Sequence, residues 1–488
     1  MALAATLAGI LVALLAVYAA GPWRDGYRVA EHHGEHRGTA EASAGGSAGG
    51  DSAPQGGIPG ETRITPALLA PVEGNPAGPA PTDAGVQAAL TPLLADPIFG
   101  GAGKVAVSVV DVASGRVLYS VDAGRAATPA STTKITTAVA ALASLGADHR
   151  ITTRVVAGAD PGTIVLVGGG DPTLTALDGS QYAGQYAPAR LDQLAAATAA
   201  SLRRNGVTGV KLTYDVSLYS GPVSHPIGAN ENIAPVVPLM ADEGRVTAKT
   251  VEAPSQRLTD PAGSAAQQFA QALAQQGIAV NGKPAAGQAP AGAAELGAVQ
   301  SPPLTSVVEQ MLTASDNDIA EALIRQIALA KGQPASFDGG TAAVREVLTG
   351  LGVDLGAMDL KDGSGLNRND RLPPAVLTRV LALAASADHP TLRPALTGMP
   401  IAGFTGTLQE RFDETASRDA AGLVRAKTGS LTGVSTLAGI VRDKDGRLLA
   451  FAFLADRIPA SDNAENAREP LDAMAATLAG CGCGTPGT

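Results

Sequence analysis

Three short motifs hold the side chains that are best suited to chemistry in this sequence. In chain order they are Ser131-Thr132-Thr133-Lys134, Ser315-Asp316-Asn317 and Lys427-Thr428-Gly429. Together they offer a hydroxyl nucleophile, an amine that can act as a base, a second hydroxyl for proton relay and a cationic clamp for an anion. Because each motif is common by chance, the interpretation depends on their order, spacing and context.

The first motif supplies the nucleophile and the base. The chain has nine lysines, and only Lys134 has a serine three residues before it. The apolar run up to Leu145 predicts a helix that starts near Ser131, and residues three apart share a helix face. The helix N-terminus favours a developing anion on Ser131, and burial would lower the pKa of Lys134. The alternative is an ordinary N-cap serine followed by a solvated lysine.

The second motif occurs twice, so one copy must be chosen. Ser461-Asp462-Asn463 precedes the last predicted helix, where these residue types are typical of a helix cap. Ser315-Asp316-Asn317 lies between two predicted helices and between the other two motifs along the chain. We therefore assign the chemistry to Ser315 and Asn317.

The third motif is predicted to bind the substrate. Lys427 is expected to end an apolar strand, and Gly429 lets a ligand backbone approach closely. An extended peptide could add to such an edge strand through main-chain hydrogen bonds. Lys427 and Thr428 would then hold a substrate carboxylate, and Thr428, Gly429 and Ser430 are the predicted substrate-binding residues. The alternative is a strand end followed by a turn.

These residues predict an acyl-transfer mechanism. Lys134 removes the proton of Ser131, which attacks a peptide carbonyl while the backbone N–H groups of Ser131 and Ser430 stabilise the oxyanion. Ser315, linked to Lys134 and Lys427, passes a proton to the leaving amine. Asn317 orients the substrate amide, and water then releases the acyl-enzyme.

The elements that must position these motifs predict an α+β fold. Two strands, at 105–110 and 116–119, precede the helix of the first motif, and three more, at 423–427, 435–441 and 448–454, follow the second. With the flanking helices they predict one antiparallel five-stranded sheet closed by both ends of the domain.

The segment between the first two motifs has a different texture. Short strands there alternate with turns and with two Ala/Gln-rich helices, and the segment is long enough to be a domain. We expect a large inserted mixed α/β domain. The predicted division is 1–20 signal peptide or membrane anchor, 21–82 flexible linker, 83–150 catalytic domain (first part), 151–300 inserted domain and 301–480 catalytic domain (second part).

The N-terminal segment predicts export or anchoring. Residues 2–20 are almost wholly apolar, a length that can cross a bilayer or form a signal-peptide core. One feature disagrees: Arg24, Arg28 and Arg37 follow this segment and no basic residue precedes it, which by the positive-inside rule would leave the bulk of the chain inside. The N-terminal position of the segment, ahead of a polar linker, nevertheless favours export or anchoring, and we expect an extracytoplasmic protein. A cleaved signal and an uncleaved membrane anchor both stay open.

The composition excludes other classes. A net charge of −10 with only 3% aromatic residues indicates no nucleic-acid partner. Cys481 and Cys483 are too close together for a disulfide framework or a zinc site, which leaves a local disulfide or two free thiols. His32, His33 and His36 lie in the predicted linker, and we expect neither a metal nor a cofactor.

Further segments resemble a known family. They are Pro129-Ala130-Ser131-Thr132-Thr133-Lys134, Gly168-Gly169-Gly170-Asp171-Pro172-Thr173-Leu174, Ser301-Pro302-Pro303-Leu304, Asp362-Gly363-Ser364-Gly365-Leu366 and Ala426-Lys427-Thr428-Gly429-Ser430. With the three motifs, they make residues 83 to 478 resemble the low-molecular-mass class C penicillin-binding proteins, the D-alanyl-D-alanine carboxypeptidase/endopeptidase family.

The resemblance implies a fold and an activity. The fold would be a penicillin-binding, β-lactamase-like transpeptidase domain. The activity would be removal of the terminal D-alanine from peptidoglycan stem peptides or cleavage of their cross-links, with acylation by β-lactam antibiotics. The family often carries a larger, two-part insertion, so we expect the second part to be reduced here.

Two alternative functions are weighed against this prediction. A class A β-lactamase shares the three motifs but needs a deacylating glutamate in a Glu-x-x-x-Asn pattern. None of Glu321, Glu346, Glu410 and Glu414 has an asparagine four residues on. A β-lactam-binding wall scaffold without peptidase activity would predict decay of at least one motif, and all three are intact.

Overall fold

The computed structural model describes residues 81–100, 104–178, 187–228, 230–246, 256–459 and 464–483, with the strand residues 23–24 and 27–28. The chain divides into two compact units, Met1–Glu61 and Thr62–Thr488. In the first unit, β1 (Trp23–Arg24) pairs with β2 (Tyr27–Arg28) in antiparallel fashion. The predicted apolar segment at 2–20, the three linker histidines and the Ser461-Asp462-Asn463 copy lie outside the described residues.

The second unit contains the remaining elements. Its helices are α1 (Asp83–Leu90), α2 (Thr133–Leu145), α3 (Leu191–Arg204), α4 (Pro261–Gln275), α5 (Leu304–Ala314), α6 (Asn317–Ala330), α7 (Phe337–Gly350), α8 (Pro374–Ala385), α9 (Pro394–Thr397) and α10 (Arg468–Gly480). Its strands are β3 (Val105–Asp111), β4 (Val117–Val121), β5 (Thr152–Ala157), β6 (Thr163–Val167), β7 (Gly209–Asp215), β8 (Ala279–Val280), β9 (Ala285–Ala286), β10 (Glu295–Gln300), β11 (Val424–Leu431), β12 (Val434–Arg442) and β13 (Leu448–Ala455). None of the described helices is both long and apolar enough to cross a bilayer.

A five-stranded antiparallel sheet forms the centre of this unit, in the order β11-β12-β13-β3-β4. Its first three strands come from the end of the chain and its last two from the beginning, as the sequence predicts. Side chains of a strand point alternately to opposite faces. In β13, Phe451 and Phe453 belong to one hydrophobic core and Ala450 and Ala452 to the other, so both faces are buried.

Helices cover the two faces unequally. Residues of α2 and α5 to α8 form the larger core, while α1 and α10 pack on the opposite face. Every residue of α2 from Thr133 to Leu142 is buried, and those from Ala138 to Leu142 are all apolar, as is expected of an enclosed helix. The nucleophile motif therefore stands at the start of a helix that is enclosed by others.

The segment between the first two motifs builds a second sheet of mixed direction. Its strands run in the order β10-β5-β6-β7-β8, and β9 also pairs with β7. The β10–β5 and β5–β6 pairs are antiparallel, whereas β6–β7, β7–β8 and β7–β9 are parallel. Because α3 and α4 contribute to a hydrophobic core of their own with this sheet, the segment has the mixed α/β character that the sequence predicts.

The beginning and the end of the described second unit are joined. The backbone N–H of Thr82 donates to the carbonyl oxygen of Cys483 at 2.8 Å, and its hydroxyl donates to the same oxygen at 3.0 Å. Cys481 and Cys483 are bonded as a disulfide, which is one of the two states left open by the sequence. Both cysteines are buried beside α1 and α10.

One predicted boundary near the motifs was wrong. Strand β11 does not end at Lys427 but continues to Leu431, with Gly429 opposite Thr436 in register. The strand continues because β12 pairs with it along its whole length, which outweighs the low strand propensity of glycine. Helix α2 begins at Thr133 and Ser131 lies on the preceding 3₁₀ turn, which agrees with a helix start near Ser131.

Candidate active site

The nucleophile candidate lies on a turn that is fixed from two sides. Ser131 occupies the 3₁₀ turn Ala130–Thr132. The carbonyl oxygen of Pro129 accepts hydrogen bonds from the hydroxyl of Thr132 at 2.7 Å and from that of Thr436 on β12 at 2.9 Å. Ala130 has a φ of +49°, a backbone strain of the kind that clusters at active sites. The turn therefore presents Ser131 against the sheet.

Lys134 is fully buried below Ser131. Its Nζ lies 3.2 Å from Ser131 Oγ, 2.7 Å from Asn317 Oδ1 and 2.7 Å from the carbonyl oxygen of Ser364. A neutral amine can donate two N–H groups to the two carbonyl-type acceptors and keep its lone pair for the proton of Ser131. Burial lowers the pKa of Lys134 to about 8 against the opposing field of Asp362, so the geometry suits a general base.

The second motif lies in a sharp break between two helices. Ser315 ends α5 with a φ of +60°, and Asp316 caps α6 by accepting from the N–H of Ile319 at 2.9 Å. Asn317, the first residue of α6, turns its Oδ1 to Lys134 and donates through Nδ2 to the carbonyl oxygen of Asn232 at 3.0 Å. The inserted segment thus fixes the orientation of the Asn317 amide.

Ser315 is the predicted residue that fits the expected network least. It lines the same cleft as Ser131. Among the described residues, however, the hydrogen bonds of the Lys134 and Lys427 ammonium groups do not include the Ser315 hydroxyl. The structure brings Ser315 to the site but does not show the predicted link to the two lysines.

The third motif runs along the outer strand of the sheet. Lys427 is fully buried, and its Nζ donates to the carbonyl oxygen of Thr428 at 2.9 Å. Burial, aided by the charges of Lys134 and Arg411, holds the pKa of Lys427 well below its usual value. The hydroxyl of Thr428 is 2.8 Å from that of Thr407, which belongs to a turn between α9 and β11.

Gly429 allows the strand to touch the nucleophile turn. A Cβ atom at this position would lie 2.8 Å from the carbonyl oxygen of Pro129 and 3.0 Å from the backbone nitrogen of Ser131. Such separations are shorter than packed atoms tolerate. Only glycine therefore lets β11 approach the 3₁₀ turn this closely, which brings Ser430 next to Ser131.

An open cleft of about 360 Å³ connects the predicted residues. It is lined by Ser131, Ser315, Thr407, Glu410, Arg411, Thr428, Ser430 and Arg468. The structure thus brings the three motifs together, with Lys134, Asn317 and Lys427 directly beneath or beside this surface.

Four contacts of the site were not predicted from the sequence. The carbonyl oxygens of Ser364 and Asn232 bind Lys134 and Asn317, as described above. Thr407 contacts Thr428, and Arg411 lines the cleft while its Nε donates to Asp472 Oδ2 at 2.9 Å. The Gly-Ser-Gly at 363–365 was the available signal for the first contact, because two glycines around one serine indicate a tight backbone approach.

The inserted segment also forms hydrogen bonds with Asp318, the residue that follows Asn317. Asp318 accepts from the backbone N–H of Ala234 and from the guanidinium of Arg257, both at 2.8 Å. Burial and the nearby charge of Asp316 raise the pKa of Asp318 to about 7. Two separate loops of the insertion therefore support the second motif from behind.

Comparison of the sequence with known proteins gives matches over most of the chain. The D-Ala-D-Ala carboxypeptidase 3 (S13) family matches residues 86–258 and 249–478. A carboxypeptidase of Mycobacterium tuberculosis is 39% identical over 413 residues, which is 83% of this chain and 86% of the relative. The D-alanyl-D-alanine carboxypeptidase of an Actinomadura species is 31% identical over 424 residues, 71% of this chain and 76% of the relative.

A solved structure is similar over nearly its whole length. The crystal structure of penicillin binding protein 4 from Haemophilus influenzae has a TM-score of 0.63 at 25% sequence identity, and the match covers 77% of this chain and 95% of that chain. A second structure of that protein is complexed with a β-lactam and has a TM-score of 0.58. The fold and the kind of enzyme predicted from the sequence are confirmed, and the chain belongs to the D-Ala-D-Ala carboxypeptidase 3 (S13) family.

Proposed function

We propose that Ser131 is the nucleophile of a serine-type carboxypeptidase that removes the terminal D-alanine from peptidoglycan stem peptides. The observation that carries this proposal is the environment of Lys134. Two fixed oxygen acceptors, on Asn317 and Ser364, take two of its N–H groups and leave the third position for Ser131 Oγ at 3.2 Å. This arrangement activates a serine without a histidine.

The acylation step follows from these positions. Neutral Lys134 takes the proton of Ser131, and Oγ attacks the carbonyl carbon of the penultimate D-alanine. The N–H groups of Ser131 and Ser430 donate to the resulting oxyanion, since β11 runs directly beside the nucleophile turn. When the C–N bond breaks, the proton held by Lys134 passes through Ser315 to the leaving amine, while Asn317 orients the substrate amide. Water then hydrolyses the ester and restores Ser131.

The cleft supports a substrate that ends in a carboxylate. Lys427, Thr428 and Ser430 stand on the same outer strand, and Arg411 and Arg468 line the cleft. An extended peptide can pair with the outer strand β11. A β-lactam presents a carboxylate next to its reactive amide, so we propose that such antibiotics acylate Ser131.

The proposal includes a division of the chain into domains and a location. We propose one catalytic domain from 83–150 and 301–480, interrupted by the domain at 151–300, which is supported by the sheet composed of both catalytic segments. The cell-wall substrate supports an extracytoplasmic location, with 1–20 as the export signal or membrane anchor and 21–82 as the linker. Peptidoglycan is then the partner.

Labelling with a fluorescent penicillin tests the proposal. Tryptic mass analysis is expected to locate the adduct on Ser131, and Ser131→Ala is expected to lose all labelling while it keeps the melting temperature of the wild type. Purified muropeptides then separate the reactions. Loss of one alanine from monomers supports the carboxypeptidase, whereas conversion of dimers to monomers would indicate an endopeptidase. Labelling at another residue would overturn the assignment, and penicillin turnover within minutes would indicate a β-lactamase.

A further inference from the structure

A buried histidine of the inserted segment lies behind the active site. The side chain of His225 is fully buried, as are those of Glu321 and Asp362 that it faces. Its Nε2 lies 3.0 Å from Asp362 Oδ2 and 3.9 Å from Glu321 Oε1. The ring packs edge-on against Phe337, with 5.3 Å between the ring centroids. His225 has no part in the mechanism above.

The two carboxylates hold a short loop by its backbone. Asp362 accepts from the N–H groups of Gly365 and Asn367, both at 2.7 Å. Glu321 Oε1 accepts from the N–H groups of Gly363 at 3.0 Å and Ser364 at 2.8 Å. Four hydrogen bonds of this kind within five residues leave the loop little freedom, and charge-assisted hydrogen bonds are stronger than neutral ones.

This loop determines where Lys134 lies. The carbonyl oxygen of Ser364 accepts from Lys134 Nζ at 2.7 Å, and the carbonyl oxygen of Gly363 accepts from the hydroxyl of Thr137 on the same helix at 2.7 Å. Gly365, with a φ of +83°, packs so closely on the carbonyl of Ala130 that a Cβ atom has no room. A shift of the loop therefore moves both the base and the nucleophile turn.

The same groups also set the charge around Lys134. The anionic charges of Asp362 and Glu321 both raise the pKa of Lys134 and so oppose its burial. On the other side of the ring, Nδ1 of His225 accepts from the backbone N–H of Ile227 at 3.3 Å, which leaves Nε2 as the N–H that donates to Asp362. The remaining ionisable neighbours are Arg325, whose Nη1 lies 4.0 Å from Glu321 Oε2, and Asp370, whose pKa is raised by burial and by Asp362.

We propose that His225 is a positioning residue for the peptidase reaction, which acts on Lys134 through Asp362, Glu321 and the loop 362–367. Its Nε2–H fixes the Asp362 carboxylate, and Asp362 in turn holds the loop whose Ser364 carbonyl oxygen binds Lys134. The inserted domain thereby contributes a side chain to the catalytic machinery. This inference rests on the proposed role of Lys134 as the general base.

Two substitutions separate the hydrogen bond of His225 from the space that its ring fills. In His225→Gln, the side-chain amide replaces the ring Nε2 as a donor to Asp362. His225→Leu fills a comparable volume but cannot donate. The matched control is His149→Gln, at a partly buried histidine whose ring makes no hydrogen bond to another described residue.

The readout is the rate of Ser131 acylation by a fluorescent penicillin between pH 6 and 10, together with the melting temperature. For His225→Gln we expect a rate within about threefold of the wild type across this pH range, because the amide restores the hydrogen bond that holds the loop. For His225→Leu we expect the maximal rate to fall by more than about tenfold as the loop shifts. The control is expected to match the wild type in both.

Two outcomes would overturn the proposal. One is a wild-type rate in both variants. The other is a loss of rate in His225→Leu that His225→Gln does not rescue, or that only parallels a loss of melting temperature, which would indicate a structural role alone. Failure of the proposed function is distinguishable, because the wild type itself would then not be labelled at Ser131.

Discussion

Two fully buried lysines, Lys134 and Lys427, lie beside the cleft, and their surroundings differ in charge. Lys134, at the start of α2, makes three hydrogen bonds. Burial lowers its pKa, and this shift is opposed by the charges of four nearby carboxylates, those of Asp362, Asp316, Glu321 and Asp318. Lys427, on the outer strand β11, donates to the carbonyl oxygen of Thr428, and the charges that perturb it are the cations Lys134 and Arg411.

Because the neighbouring charges differ, the two lysine side chains suit different tasks. A buried ammonium group costs free energy unless anions or acceptors compensate it. Burial lowers the pKa of Lys134 to about 8 while the nearby carboxylates oppose the shift, and this is near the value at which an amine can both take and release a proton. Lys427 has cations for neighbours, so an anionic ligand is what would stabilise its charged form. The first lysine suits proton transfer and the second suits recognition of a carboxylate.

The most severe test of this contrast is Lys134→Ala. Removal of the general base is expected to slow acylation of Ser131 by about 10³-fold or more, with discrimination between carboxylate and amide substrates left as in the wild type. The measurement is the second-order rate of labelling by a fluorescent penicillin. Lys444→Ala, at an exposed lysine in the turn between β12 and β13, is the matched control and should keep the wild-type rate. An active Lys134→Ala variant would remove the basis of the comparison.

Lys427→Met tests whether Lys427 recognises the carboxylate of the substrate. The loss of a charge-assisted hydrogen bond is expected to lower kcat/KM for a peptide ending in a free carboxylate by about 10- to 100-fold. For the same peptide with a C-terminal amide, kcat/KM should change by less than about threefold. The measurement is release of the C-terminal residue, followed by mass spectrometry. Equal losses on both peptides would mean that Lys427 acts in proton transfer instead.

The pH dependence of the wild type separates the two lysines without mutation. Acylation needs neutral Lys134, so kcat/KM is expected to fall by about tenfold per pH unit below the pKa of about 8. Carboxylate binding needs charged Lys427, whose pKa is held well below its usual value. An alkaline decline should therefore appear with the carboxylate peptide and be absent with its amide. Profiles of the same shape for both peptides would contradict the division of tasks.

The sequence predicted the two lysines but not what distinguishes them. Motif spacing and an apolar helix suffice to predict a buried Lys134 next to Ser131, because both depend on neighbours along one helix. The carboxylates around Lys134 come from α6 and from the loop at 362–367, which only the tertiary fold brings together. The extension of β11 beyond Lys427 was missed for a similar reason, since pairing with β12 outweighs local propensity. No sequence pattern indicated a role for His225, because its partner Asp362 lies far along the chain.

The smallest expected effect is that of a substitution beside Thr428, one of the predicted substrate-binding residues. Thr407→Val removes the 2.8 Å hydroxyl contact with Thr428, which helps to orient the Thr428 hydroxyl towards the substrate. A neutral hydrogen bond contributes about 0.5–1.5 kcal/mol, so KM for the carboxylate peptide should rise by about two- to tenfold with kcat unchanged. Thr91→Val, which removes an exposed hydroxyl bond to the Gln87 carbonyl, is the control. A fall in kcat at constant KM would show that Thr428 acts in the transition state, so that recognition and proton transfer are one coupled unit.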